Sequence, residues 1–148
     1  MRRRIIFLDI DGVLNTMRFM REANNPFVMN PASVALLRRV VEATGALIVI
    51  SSSWRHGADW EERIHIVFAN AGWDNPPIIG RTPEPDINCG RGREIATWLE
   101  SNPANDFVIV DDEVFDMLPE HRNHIVRCDG NLGFCDTHAS DIENRWAN

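Results

Sequence analysis

Two aspartates one residue apart, Asp9 and Asp11, follow a short apolar run and are followed at once by Gly12. A second acidic pair, Asp111-Asp112, also ends an apolar run, and Ser51-Ser52-Ser53 ends another lying between them in the chain. If these runs are parallel strands of one sheet, their ends meet beyond a single sheet edge, which is where open parallel sheets bind ligands. Carboxylates gathered in a partly desolvated place repel one another and persist there around a cation. Oxygen-only ligands with few rigid donors favour Mg2+, so Asp9, Asp11, Asp111 and Asp112 are the candidate metal residues. The basic residues number 15 and all are arginines, so any phosphate group must be met by a guanidinium, which can bind two oxygens at once.

The elements that would position these residues can be read from apolar spacing. Residues Arg4 to Ile10 read as a buried strand ending in a tight turn. Thr16 to Asn30 is mixed and polar, with Asn24-Asn25-Pro26 inside it, and reads as a loop or flap too short to be a folded cap. Asn30-Pro31 signals a helix start. Val34, Leu37 and Val41 share one helical face, which Leu36 and Val40 widen, and Gly45 closes the pattern. Ala46 to Ile50 is a continuous apolar run of strand length, so Arg4 to Ser51 forms a βαβ unit with Ser51 beside Asp9. Trp60, Ile64, Val67, Phe68 and Ala71 recur at helical spacing before Gly72, and a loop rich in Pro and Gly follows over 74–92. Ile95, Trp98 and Leu99 mark another helix, and Phe107 to Val110 a strand running straight into Asp111-Asp112. A further strand is expected at His124 to Arg127 and a terminal helix over 138–147. The expected fold class is α/β: a Rossmann-like open parallel sheet with helices on both faces, formed by a single domain over 1–148.

Composition excludes several classes. With 44% apolar and 25% charged residues, the chain has the make-up of an ordinary globular protein, and no apolar run approaches the roughly 20 residues that span a bilayer. The Met1-Arg2-Arg3-Arg4 start leads into too short an apolar stretch for a secretory signal and reads as the entry to the first strand. The 3 cysteines, Cys89, Cys128 and Cys135, lack zinc-binding spacing, and so do the 5 histidines. A cytoplasmic setting with free thiols is expected. A net charge of −7 argues against extended nucleic-acid binding, which depends on neutralising many phosphates, and leaves open recognition of one strand end.

The motif Asp9-Ile10-Asp11-Gly12-Val13-Leu14-Asn15 resembles the first motif of the haloacid dehalogenase (HAD) superfamily of phosphohydrolases. The resemblance implies that Asp9 attacks phosphorus, and that Asp11 protonates the leaving oxygen and then activates water against an aspartyl-phosphate. Ser51 matches the second motif, whose hydroxyl holds a phosphoryl oxygen, with Ser52 and Arg55 as further candidate phosphate donors. Arg91 matches the basic third motif, with Arg93 as its rival, and Asp111-Asp112 matches the acidic fourth motif that binds Mg2+. More narrowly, Ser51-Ser52-Ser53-Trp54-Arg55 together with Arg91-Gly92-Arg93-Glu94-Ile95 and Trp98-Leu99 resembles the small capless HAD domains associated with RNA-repair proteins.

The resemblance implies a Mg2+-dependent phosphatase acting on a small phosphate ester or on a nucleic-acid 3′-phosphate end. The alternative is a non-catalytic HAD-like module that binds a phosphate or a partner. A receiver-type phosphoacceptor domain would need a lysine, and the chain has none. Trp54 is expected to pack beneath the serine loop, and Trp60 and Trp98 to belong to helix cores. Arg18 and Arg21 on the flap are expected to meet neighbouring phosphates of a bulky substrate in an open site.

Overall fold

The computed structural model describes residues 2–83, 90–103 and 105–147. Cys89 and residues 84–89 of the expected Pro/Gly-rich loop lie outside the described residues. The strands are β1 Arg4–Leu8, β2 Leu47–Ile50, β3 Ile78–Arg81, β4 Asp106–Asp111 and β5 Ile125–Arg127. They form one sheet in the order β3-β2-β1-β4-β5. Every adjacent pair is parallel, as runs of uninterrupted Ile, Val and Leu require when both faces of a sheet are covered.

Two apolar clusters lie on opposite faces, because successive strand residues point to opposite sides. Ile6, Leu8, Ile48, Ile50, Val108 and Val110 pack with residues of three helices: α2 Pro31–Thr44, α3 Trp60–Asn70 and α5 Asp136–Arg145. Ile5, Phe7, Val49 and Ile109 pack instead against Ile95 and Trp98 of α4 Arg91–Ser101. The helix boundaries follow local chemistry. Asn30 caps α2 by accepting a hydrogen bond from Ala32 N at 3.0 Å, Pro31 occupies the first turn, and Gly45 ends the helix at φ 72°.

Two elements depart from the sequence reading. The flap contains a short helix, α1 Met17–Ala23, started by Thr16 Oγ1 accepting from Phe19 N and ended by Asn24 at φ 50°. No residue of this helix is buried, so it leaves no apolar periodicity to read. Strand β3 lies inside the stretch read as loop. It is an edge strand of alternating half-buried and exposed residues behind Pro76-Pro77, which hides it from a search for apolar runs.

β1 leads through α2 to β2 on one side, whereas β4 leads to β5 on the other. The chain therefore changes winding direction between β1 and β4, and a crevice opens beyond the carboxyl ends of these two strands. Asp9 and Asp111 stand at its two lips.

Candidate active site

The turn after β1 is built around one carbonyl. Ile10 O accepts hydrogen bonds from Val13, Leu14 and Asn15 N, while Asp9 N donates to Val110 O at 3.0 Å and ties the start of the turn to β4. Gly12 sits at φ 81°, and a Cβ there would collide with the Asp112 carboxylate. A Cβ on Gly130 would lie 2.8 Å from Asp112 Oδ2. The absence of side chains at both positions lets the loops after β1 and β5 close on Asp112.

Asp9 and Asp111 are 4% and 1% exposed, and Asp112 is half-buried. One carboxylate oxygen from each of Asp9, Asp111 and Asp112 lies within 4.8 Å of the others. Arg91 Nη1 lies 2.8 Å from Asp111 Oδ2 and 3.4 Å from Asp9 Oδ1. Its backbone N–H donates to Asp116 Oδ2 at 2.9 Å, fixing the first turn of α4. Burial pushes the Asp9 carboxyl up to about 9, the charge of Asp111 adds to this, and Arg91 only partly opposes it. Asp111 is raised too, by burial, against the pull of Arg91. Burial acts to lower the Arg91 guanidinium, but the charges of Asp9 and Asp111 outweigh it and hold the group above its ordinary value. One guanidinium thus leaves the acidic group short of positive charge, and an all-carboxylate donor set of this compactness suits a hard divalent cation such as Mg2+.

Asp11, also expected among the metal residues, does not bring its carboxylate into this group. The turn through Ile10 and Gly12 carries its carboxylate away from Asp9, and Asp11 Oδ1 accepts from Trp54 Nε1 at 3.1 Å and from Asn15 Nδ2 at 3.2 Å. Asn15 is buried, and its Oδ1 in turn accepts from Gly12 N at 3.2 Å. Trp54 therefore does more than pack. Its partly buried ring rests on the larger core cluster, while the indole N–H reaches the Asp11 carboxylate. Sequence reasoning missed both Trp54 and Asn15 as site residues. The available signal was that each carries a side-chain donor close in the chain to the acid or to the serine loop.

Ser51 N donates to Leu8 O at 2.8 Å, one step beyond the Leu8–Ile50 pairing, which sets Ser51 beside Asp9. Its Oγ is buried and has no hydrogen-bond partner among the described residues. Buried hydroxyls are normally paired, which makes this one a candidate donor to a group entering the site. Ser52 Oγ instead accepts from Trp54 N at 3.3 Å and caps the 3-10 turn Ser53–Arg55.

Arg55 departs from the expected phosphate role. It is 4% exposed, and its guanidinium donates to Thr82 O at 3.1 Å, Ser52 O at 2.8 Å and Glu94 Oε2 at 2.6 Å. A desolvated guanidinium must satisfy its donors locally, and this one does so by tying the serine loop to the end of β3 and to α4. Of the two rivals at the start of α4, Arg91 reaches the carboxylates and Arg93 is exposed. On the flap, Arg18 is paired with Glu22 at 3.1 Å, one turn along α1.

The profile of the family described as "HAD domain in Swiss Army Knife RNA repair proteins" matches residues 5–139. No match was found among curated proteins or among solved structures.

Proposed function

The chain belongs to the family of HAD domains in Swiss Army Knife RNA repair proteins, and from that membership we propose that it is a Mg2+-dependent phosphatase using Asp9 as nucleophile. Membership points to phosphatase-type chemistry in general. The observation that carries the specific reading is the compact group of buried Asp9 and Asp111 with half-buried Asp112, one oxygen of each inside 4.8 Å and Arg91 bridging two of them.

In this reading an Asp9 oxygen attacks phosphorus, and the bond to the leaving oxygen breaks as Asp11 gives that oxygen a proton. Two N–H donors occupy Asp11 Oδ1, which leaves Oδ2 as the oxygen through which the proton would pass. Asp11, now ionised, takes a proton from a water molecule, whose attack on phosphorus frees Asp9 and releases phosphate. Ser51 Oγ donates to a phosphoryl oxygen, and the Arg91 guanidinium offsets the negative charge that develops in the transition state. Asp9, Asp111 and Asp112 would hold Mg2+, which would supply positive charge to keep Asp9 ionised and to polarise the phosphoryl group.

Substrate reading rests on access. The flap between β1 and α2 holds only the short helix α1, too little chain to fold over the site as a separate lid domain. An open site suits a phosphate displayed on a bulky molecule, such as the 3′ end of a nucleic acid, better than a small ester that must be enclosed. No helix among the described residues is long and apolar enough to cross a membrane. The free thiols of Cys128 and Cys135 suit a cytoplasmic setting.

Phosphate release from an aryl phosphate, measured with Mg2+, with EDTA and with Asp9→Asn, tests the reading. Turnover should need Mg2+ and fall on the order of 10⁴-fold in the variant. Tight phosphate binding without turnover in the wild type would instead identify a binding module.

A further inference from the structure

Asp11 marks the side of the site from which the alcohol departs, so whatever lies next to Asp11 touches the leaving group. Two aromatic rings lie there. Trp54 is bonded to Asp11 Oδ1, and Phe27 meets Trp54 edge to face, with ring centroids 6.3 Å apart and an interplanar angle of 69°. Phe27 is 65% exposed, so its ring is open to a ligand beside Trp54. Its position is nevertheless defined. Phe27 N donates to Asn25 Oδ1 at 2.9 Å, Asn15 Nδ2 reaches Val28 O at 3.4 Å, and Asn30 N donates to Leu14 O at 2.6 Å. The flap thereby holds an exposed ring at a set distance from the acid.

We infer that Phe27 and Trp54 form a leaving-group subsite that stacks the base of a nucleoside phosphate, an inference that rests on the phosphatase reading above. Aromatic faces bind every nucleobase by stacking, with little demand on sequence. The ring of the leaving group is not itself the alcohol. A phenolic oxygen leaves readily without a proton, whereas an acid oriented by two N–H donors serves an alkoxide, which needs one. The stacked ring is therefore carried a few atoms from the departing oxygen, as the base is in a nucleoside 3′-phosphate. The same flap offers a cavity of about 310 Å3 lined by Met17, Met20, Arg21, Asn24, Asn25 and Pro26. Its combination of apolar thioethers, amides and a guanidinium suits a further base and its phosphate.

The test compares uridine 3′-phosphate with glycerol 2-phosphate, two secondary alkyl phosphates of which only the nucleotide carries a ribose and a base. Wild type should favour the nucleotide about tenfold in kcat/KM, chiefly through KM, as expected for one base stacked on an aromatic face. Phe27→Ala should bring that ratio close to one, and Phe27→Tyr should keep it. A uridine dinucleotide with a 3′-phosphate separates the two sources of this ligand. Both a gain over the mononucleotide, which assigns a strand end, and equality, which assigns the free nucleotide, support the subsite. Equal kcat/KM for uridine 3′-phosphate and glycerol 2-phosphate in wild type would overturn it, as would a Phe27→Ala enzyme that keeps the preference. If no ester is hydrolysed, the phosphatase reading fails while calorimetric titration of both compounds onto Asp9→Asn still tests the subsite. Equal affinities there reject it.

Discussion

Trp54 donates its indole N–H to Asp11 Oδ1 at 3.1 Å, across 43 residues of sequence, and thereby fixes which oxygen of the acid faces away. Replacing Trp54 by Phe keeps the ring and removes the donor. We expect kcat to fall about tenfold for alkyl phosphates, since hydrogen bonds to charged groups contribute roughly 1.5–3 kcal/mol, and to change less for aryl phosphates, which leave without a proton. Measuring kcat across esters of graded leaving-group acidity checks this. A uniform loss along the series would reduce Trp54 to a packing residue.

Burial raises Asp9 to about 9, so without a cation the folded protein holds this carboxyl protonated over a range where the unfolded chain ionises it. The stability gained from the neutral form is complete below the unfolded value of 3.8 and is lost as pH rises through about 9. The midpoint of thermal unfolding in EDTA should therefore fall as pH rises across that window. Asp9→Asn, which cannot ionise, should flatten the decline, and Mg2+ should raise the midpoint more at pH 8 than at pH 5. A variant with the slope of wild type would show that the pH dependence originates elsewhere.

Arg91 is the cation closest to Asp9 and Asp111 among the described residues. Arg91→Ala should lower kcat/KM for phosphate esters by about 10²–10³-fold, the scale seen when a preorganised donor to transition-state charge is removed. Arg91→Lys should recover part of this loss, because charge returns and the two-pronged geometry does not. Steady-state kinetics at saturating Mg2+ decides the matter, and full activity in Arg91→Ala would pass the role to another arginine.

Arg55 calls for a stability measurement. Its pair with Glu94 is nearly dry, with side chains 5% and 15% exposed, so removing one partner strands the other. Arg55→Ala should cost roughly 3–5 kcal/mol in urea unfolding, as other broken buried pairs do. Arg55→Lys should rescue little, because an ammonium cannot reach Thr82 O, Ser52 O and Glu94 with the spread of a guanidinium. A near-neutral Arg55→Ala would show that the loop is held by other contacts.

The central strands and the helices α2, α3, α4 and α5 were legible because each buries a stripe or run of apolar residues that leaves its period in the sequence. Edge strand β3 and helix α1 bury too little to leave one. The acidic group was legible for the same reason. Asp9, Asp111 and Ser51 sit where apolar runs stop, and parallel pairing brings those ends together. Side-chain direction was not legible. Asp11 and Asp9 are two residues apart yet face different partners, and Arg55 turns its guanidinium into the protein interior, because turn geometry and desolvation decide these orientations after the chain has folded.

The flap is anchored at both ends of its return path, by Asn15 to Val28 O and by Asn30 N to Leu14 O. If these two bonds hold the rim fixed, the proposed phosphatase has no gating step in its cycle. Solvent viscosity should then slow it only through the diffusion of substrate and product. On that reading its substrate range would shift by exchange of rim side chains, so a library confined to positions 17, 20, 21, 24, 25 and 27 could redirect specificity while leaving Asp9, Asp111 and Asp112 untouched.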